Sequence, residues 1–272
     1  MCKCRGVESV NVAFGHRIWW VDAFVGSNER GNPAVVVLLE RPLPDEELQL
    51  IAFELGVSET AFLLSVGGTW TLRWFTPSVE VDLCGHATLA AAHVLTHELH
   101  AGSEHFFHTR SGVLSSRRLD HGLIGIDLPR VAINAGESSY VGGAFGPVRE
   151  VTMAGPHVIV ELDSYDTLCS VNPDPVALFL VPSTLIIAVC EGGPGVDAAL
   201  CVFAPRLGLA EDPVTGSAMC ALAPWWMART GSPTLSVRQA SPRGGRMHAR
   251  LFESNVEIAG HVRTFFSGEL RP

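Results

Sequence analysis

The stretch Asp82-Leu83-Cys84-Gly85-His86-Ala87 has a counterpart later in the chain, Asp212-Pro213-Val214-Thr215-Gly216-Ser217-Ala218. Both contain an acidic residue, a small residue of nucleophile size, a glycine, a polar residue and an alanine, in that order. The two glycines lie 131 residues apart in a chain of 272 residues, and each stretch precedes a segment that favours a helix. This pattern suggests a duplicated lobe of ordinary domain size and two matching helix N-termini.

Short apolar runs bounded by glycine, proline and asparagine predict strands in both halves of the chain. A shift towards small residues near Pro129 predicts a first lobe, residues 1–128 with 1–16 as an extension, and a second lobe, residues 129–272. The apolar stretch 176–190 is interrupted and too short for a membrane helix, so it predicts two buried strands around a turn. The other predicted elements are strands at 18–24, 34–39, 60–66, 71–75, 158–162, 184–190 and 199–203, a hairpin over 106–128, and helices from Pro44, over 87–99 and from Met219.

The composition is that of a compact globular protein. Hydrophobic residues make up 47% of the chain and charged residues 17%, which excludes disorder over a large part of its length. The formal net charge of −9, without a lysine- or arginine-rich block, argues against nucleic acid or an anionic membrane as a partner. The seven cysteines are odd in number and widely spread, as reduced cysteines are, and the first residues carry no secretion signal. We therefore expect a cytoplasmic protein.

Metal and cofactor motifs are incomplete or missing. His97-Glu98-Leu99-His100 is one residue short of the zinc-binding H-E-x-x-H pattern, and the pair at His93 and His97 lacks an evident third ligand. Cys2 and Cys4 lack a second pair that would complete four ligands. The glycine-rich dinucleotide and nucleotide motifs and the G-x-S-x-G elbow do not occur. The sequence therefore predicts neither a metal nor an organic cofactor.

The two helix starts have a chemical interpretation as well as a structural one. A helix N-terminus carries unpaired N–H groups and partial positive charge, so two such ends facing one cleft would bind a carboxylate. Glu59, between apolar neighbours at the start of a predicted strand, is a candidate general acid/base if burial raises its pKa towards neutrality. The structural alternatives are helix caps at His86 and Ser217, and a strand-edge glutamate that points to water.

Several motifs together resemble the PhzF-like (phenazine biosynthesis) family. They follow the order of that family, and the resemblance is dense over about 17–100 and 200–270 but thin over about 130–195. The segments that carry it are Val21-Asp22-Ala23-Phe24, Gly31-Asn32-Pro33-Ala34, Val57-Ser58-Glu59-Thr60-Ala61-Phe62, Phe75-Thr76-Pro77, Glu80 to Ala90 and Glu211 to Ala218.

The resemblance implies an α+β fold of the diaminopimelate epimerase type, with two similar lobes. Each lobe is then a curved, mostly antiparallel sheet wrapped around a central helix, and the last strand can return to the first lobe. The site would lie between the lobes at the two helix N-termini. A homodimer is a further expectation.

The resemblance also implies a cofactor-independent isomerase of a small carboxylate, similar to trans-2,3-dihydro-3-hydroxyanthranilate isomerase. Motif matching assigns the acid/base to Glu59 with Ser58 beside it, supporting roles to His86 and Asp212, and backbone anion donors to Gly85, Gly216 and Ser217. One alternative is an epimerase, racemase or dehydratase-like enzyme that uses Cys84 and Thr215. The other is a non-catalytic binding protein of the same fold.

Overall fold

The computed structural model describes residues 15–134, 141–193 and 195–271. Most of the expected N-terminal extension, with Cys2 and Cys4, lies outside these ranges. Within them, no helix is both long and apolar enough to cross a membrane.

The first half of the chain alternates strands with helices. Its elements are β1 (Arg17–Val25), β2 (Asn32–Leu39), α1 (Asp45–Leu55), β3 (Glu59–Val66), β4 (Thr69–Phe75), β5 (Glu80–Val81), α2 (Gly85–His93), which continues as a π-helical turn (Val94–Glu98), β6 (Glu104–Thr109), β7 (Gly112–Arg118) and β8 (Ile124–Pro129).

The second half also alternates strands with helices. Its elements are β9 (Ile133–Asn134), α3 (Val141–Phe145), β10 (Glu150–Ala154), β11 (His157–Glu161), α4 (Tyr165–Ser170), α5 (Pro175–Leu180), β12 (Ile186–Glu191), β13 (Ala198–Ala204), β14 (Leu209–Asp212), α6 (Met219–Thr230), β15 (Thr234–Gln239), β16 (Gly245–Leu251) and β17 (Asn255–Glu269).

The two halves repeat one pairing pattern. In the first, β2 and β3 are parallel, β3 and β4 antiparallel, and β4 and β6 parallel. In the second, β11 and β12 are parallel, β12 and β13 antiparallel, and β13 and β15 parallel. Helices α2 and α6 occupy the same place in this order, immediately before β6 and β15. The duplication predicted from the two glycines is therefore present in the topology.

Helix α2 is enclosed by strands. The pairs β1–β2, β2–β3, β3–β4, β4–β6, β6–β7, β7–β8, β8–β17 and β17–β1 form a closed ring, and every residue from Gly85 to Ala92 is buried. The alanines of α2 lack bulky side chains, which lets the strands approach its backbone closely. Helix α6 is likewise buried from Met219 to Trp226, and both helices contribute to one continuous apolar core.

Strand β17 takes part in the pairing of both halves. Its first residues lie between β16 and β8, and its residues from His261 to Glu269 pair with β1. The division between residues 128 and 129 stays a prediction.

Two local predictions are wrong. The stretch 176–190 is not a pair of strands, because Pro175–Leu180 is the helix α5 and only Ile186–Glu191 is a strand. Asp174 begins that helix by accepting a hydrogen bond from the Ala177 N–H at 2.8 Å, with proline at the first helical position. The hairpin predicted over 106–128 is confined to β7 and β8, which pair antiparallel around a turn at 120–122, because β6 is a separate strand.

Candidate active site

The two helix starts predicted from the sequence meet at one place. Gly85 is the first residue of α2, and Gly216 begins a short 3₁₀ turn that leads into α6. A Cβ atom added to Gly85 would lie 3.5 Å from the Gly216 Cα and from the Ser217 nitrogen. Because both positions lack side chains, the two N-termini come into near van der Waals contact and direct their unpaired N–H groups to a common region.

Glu59 and His86 form a close carboxylate–imidazole pair in this region. Glu59 is the first residue of β3, His86 is the second residue of α2, and 3.1 Å separates Oε2 of Glu59 from Nε2 of His86. Their side chains are 15% and 7% exposed, so the pair interacts in a largely dry environment. Burial alone would raise the pKa of the Glu59 carboxyl, but the charge and hydrogen bond of His86 outweigh it and hold that pKa below its usual value. The expectation of a pKa near neutrality is therefore wrong.

The Cys84 thiol completes a cluster with this pair. Its Sγ lies 3.6 Å from Nδ1 of His86 and 4.0 Å from Nε2. Burial raises the pKa of this thiol, whereas electrostatic interactions and hydrogen bonds with Cys84 and Glu59 raise the pKa of His86 despite its burial.

The donor atoms of Glu59, Cys84 and His86 all lie within 4.8 Å of one another. The carboxylate is nearest Nε2 of the imidazole, whereas the sulfur is nearer Nδ1. Carboxylate, thiolate and imidazole are all groups that can ligate a metal, so the absence of a metal stays a prediction.

Asp212 approaches from the second half of the chain and is held by three side chains. Its carboxylate accepts hydrogen bonds from the Thr215 hydroxyl and, at 2.9 Å, from Nδ2 of Asn32. Gln239 donates to the backbone oxygen of Asp212 at 2.6 Å and accepts from the Thr215 N–H at 2.8 Å. Burial, followed by the Glu59 carboxylate, raises the pKa of Asp212 even though His86 and these hydrogen bonds oppose the rise.

These residues open on a cavity of about 250 Å³. Such a volume suits a ligand smaller than a typical drug. Among the described residues that line it there is no lysine or arginine, so the backbone N–H groups at the helix starts are the evident donors for an anion. The lining residues are Glu59, Val81, Leu83, Cys84, Gly85, His86, Leu185, Ala204, Leu207, Leu209, Asp212, Thr215, Gly216 and Ser217.

Most residues singled out from the sequence converge on this cavity. Ser58 does not line it; its hydroxyl donates to the carbonyl of Pro33 at 3.1 Å, and its contact with Glu59 helps to lower the pKa of that carboxyl. Two residues at the site received no role from the sequence: Asn32, although it lies in a motif that carries the resemblance, and Gln239. Asn32 contacts residues about 180 positions away in the chain, and no local pattern reports such contacts.

Comparison with known proteins identifies the family. A family model described as "Phenazine biosynthesis-like protein" matches residues 21–268. The chain belongs to the phenazine biosynthesis-like family. It is 42% identical over 254 residues to an uncharacterized isomerase of Pseudomonas aeruginosa, covering 92% of this chain and 97% of that protein. A PhzF-family crystal structure from Enterococcus faecalis is 35% identical, with a TM-score of 0.86 over 95% of this chain and 100% of that chain.

The fold extends to more distant enzymes. A hydroxyproline epimerase from Agrobacterium vitis aligns with a TM-score of 0.64 over 95% of this chain and 93% of that chain, at 13% identity. This likeness concerns the fold alone. The fold is therefore the α+β, epimerase-like fold that the sequence motifs implied, and the family relationship supports an isomerase- or epimerase-like enzyme.

Proposed function

We propose that this protein is an isomerase of a small carboxylate and that Glu59 carries the transferred proton without a metal or an organic cofactor. The observation that carries the proposal is the pairing of Glu59 with His86 at a cavity bounded by two helix N-termini. The lowered pKa of Glu59 supplies a carboxylate that is ready to accept a proton at neutral pH.

The proposed reaction moves a double bond relative to the substrate carboxylate. Glu59 removes a proton from a carbon atom, and the electron pair of that C–H bond delocalises towards the substrate carboxylate. Backbone N–H groups of Gly85, Gly216 and Ser217 stabilise the negative charge that develops on its oxygens. The protonated Glu59 then returns the proton to a different carbon, so a C–H bond forms, the double bond has moved, and the enzyme regains its initial state.

His86 and Asp212 have supporting roles in this proposal. His86 stabilises the Glu59 carboxylate before the first transfer and releases it, as a neutral acid, for the second. Asp212 is fixed by Asn32 and Thr215 and orients a hydroxyl or amino group of the substrate. The proposed reaction is analogous to that of trans-2,3-dihydro-3-hydroxyanthranilate isomerase, the type member of the family that the sequence motifs resemble.

The alternative that uses Cys84 and Thr215 receives less support from the geometry. The raised pKa of Cys84 favours the thiol over the nucleophilic and basic thiolate. The Thr215 hydroxyl donates its hydrogen bond to Asp212, which leaves it a poor second base.

The test is proton NMR in D₂O with a panel of small carboxylates that includes dihydro-3-hydroxyanthranilate, amino acids and hydroxyprolines. We expect deuterium uptake or a new isomer with the unaltered protein and a loss of at least about 100-fold in Glu59→Gln. Glu54→Gln, at an exposed position of α1, is the matched control and should keep full activity. Thermal melting verifies that both variants fold.

Retained turnover in Glu59→Gln would remove the proposed role of Glu59. Loss of turnover in Cys84→Ala, with Glu59→Gln unaffected, would favour the alternative that uses Cys84 and Thr215. If the unaltered protein caused neither deuterium uptake nor isomer formation with any member of the panel, a non-catalytic binding role would be favoured.

A further inference from the structure

Asn32 joins the two halves of the chain beneath the candidate active site. It is the first residue of β2 and is fully buried. Its Nδ2 atom lies 2.9 Å from Oδ1 of Asp212, 2.8 Å from the carbonyl oxygen of Val214 and 3.3 Å from Nδ1 of His86. One side-chain nitrogen therefore reaches both halves and the imidazole of the proposed acid/base pair.

The neighbours of Asn32 determine which way its amide faces. Rotating the amide by half a turn would place its oxygen against the oxygens of Asp212 and Val214, which are themselves acceptors. In the orientation observed, Oδ1 of Asn32 is buried without a hydrogen-bond partner among the described residues. A buried acceptor that stays unpaired costs free energy. The Asn32 amide therefore interacts with its neighbours through its N–H groups and not through its oxygen.

This orientation constrains the imidazole of His86. The two hydrogens of the amide are donated to Asp212 and Val214, so Nδ1 lies 3.3 Å from a nitrogen that cannot accept a hydrogen bond. The other polar atom near Nδ1 is the Cys84 sulfur at 3.6 Å. We infer that Asn32 is a positioning residue that disfavours a proton on Nδ1 of His86 and so confines the proton of the neutral imidazole to Nε2, opposite Glu59. A proton on Nδ1 would instead point towards an N–H donor.

The surroundings of His86 act in opposite directions on its protonation. Glu59 from β3, Asp212 from β14 and Cys84, immediately before α2, are the titratable groups around it. Glu59 and Cys84 favour the imidazolium, whereas the amide of Asn32 opposes a proton at Nδ1. The catalytic role of this arrangement rests on the proposed function, in which a proton at Nε2 stabilises the Glu59 carboxylate before it accepts the substrate proton.

Nitrogen-15 NMR of the full chain labelled in its histidine rings tests the inference without any substrate. The spectrum of a His86→Gln variant assigns the His86 signals. Above its pKa, His86 of the unaltered protein should show a protonated Nε2 and an unprotonated Nδ1. In Asn32→Ala the pKa of His86 should rise by about one unit, and the neutral ring should acquire a population protonated at Nδ1.

Two further variants separate this role from a purely structural one. Asn32→Asp keeps the size of the side chain but replaces the donor by an acceptor, so it should raise the pKa of His86 further; it also serves if Asn32→Ala fails to fold. Gln239→Met removes another buried amide that holds Asp212 and Thr215 and should leave the tautomer and pKa of His86 unchanged.

A neutral His86 protonated at Nδ1 in the unaltered protein would overturn the inference. An unchanged pKa and tautomer in both Asn32 variants, or an equal change in Gln239→Met, would do the same. The proposed function fails separately, because turnover by Glu59→Gln would refute it whatever the tautomer of His86.

Discussion

Replacing Gly260 of β17 by alanine should destabilise the protein through Phe24, a buried residue that contacts the candidate site. A Cβ atom at position 260 would lie 2.5 Å from Cδ1 of Phe24 and 3.3 Å from the carbonyl oxygen of Arg246. Phe24 cannot easily move away, because it is fully buried, has a positive φ of 62° and also presses against Gly216, where a Cβ would lie 3.1 Å from its ring.

The magnitude follows from this overpacking. Inserting a methyl group into a filled core costs about 1–3 kcal/mol, and each kcal/mol shifts the melting temperature of a chain of this size by roughly 2–4 °C. We therefore expect Gly260→Ala to melt about 2–12 °C below the unaltered protein. The displaced ring should also push on Gly216 at the candidate site. Activity on any substrate found by the NMR panel should therefore fall even at temperatures where Gly260→Ala is still folded.

Gly268→Ala is the matched control, because it makes the same substitution in the same strand where nothing lies within 4 Å of the added Cβ. Both proteins are compared by thermal melting at one scan rate. Adding Phe24→Leu to Gly260→Ala should recover part of the loss, since the two sites are in contact and their effects are not additive. Equal melting temperatures for Gly260→Ala and Gly268→Ala would refute the packing argument.

Two other predictions concern charge. Burial, reinforced by His97, lowers the pKa of His93 to about 4. As the pH falls below about 6.5, the unfolded chain therefore binds a proton at His93 that the folded chain does not bind. The free energy of unfolding should consequently fall by about 3 kcal/mol between pH 7 and pH 4. Urea unfolding should show a smaller fall in His93→Gln, and an identical fall would contradict this assignment. Arg229→Met should lower the free energy of unfolding by about 2 kcal/mol, because Arg229 contacts the buried Glu161 at 2.7 Å. Arg250→Met, at an exposed position, serves as its control. An equal loss of unfolding free energy in the two variants would show that the ion pair with Glu161 does not stabilise the fold.

The sequence was most informative where chemistry depends on local pattern. The duplicated glycine motif predicted the starts of α2 and α6, because a glycine at a helix start leaves the unpaired N–H groups open to close approach. The apolar run 176–190 misled, since periodicity does not separate a short helix from a strand; the Asp174-Pro175 start signal did mark α5.

Properties of the site that depend on contacts between distant segments could not be predicted. Burial of Glu59 by itself indicates a raised pKa, and the contacts with His86, followed by Ser58, reverse that direction. The orientation of the Asn32 amide depends on Asp212 and Val214, which accept its hydrogens. The fold brings these two residues to Asn32 from the other half of the chain.

The last strand has a consequence for synthesis on the ribosome. Strand β17 closes the ring around α2 by pairing with both β8 and β1, yet its residues follow the end of β8 by more than a hundred positions. At ordinary elongation rates this delay lasts roughly 6–25 s, during which β1 and β8 each have an unpaired edge that chaperones or neighbouring nascent chains can bind. The first half of the protein therefore completes its barrel only after the second half has been made.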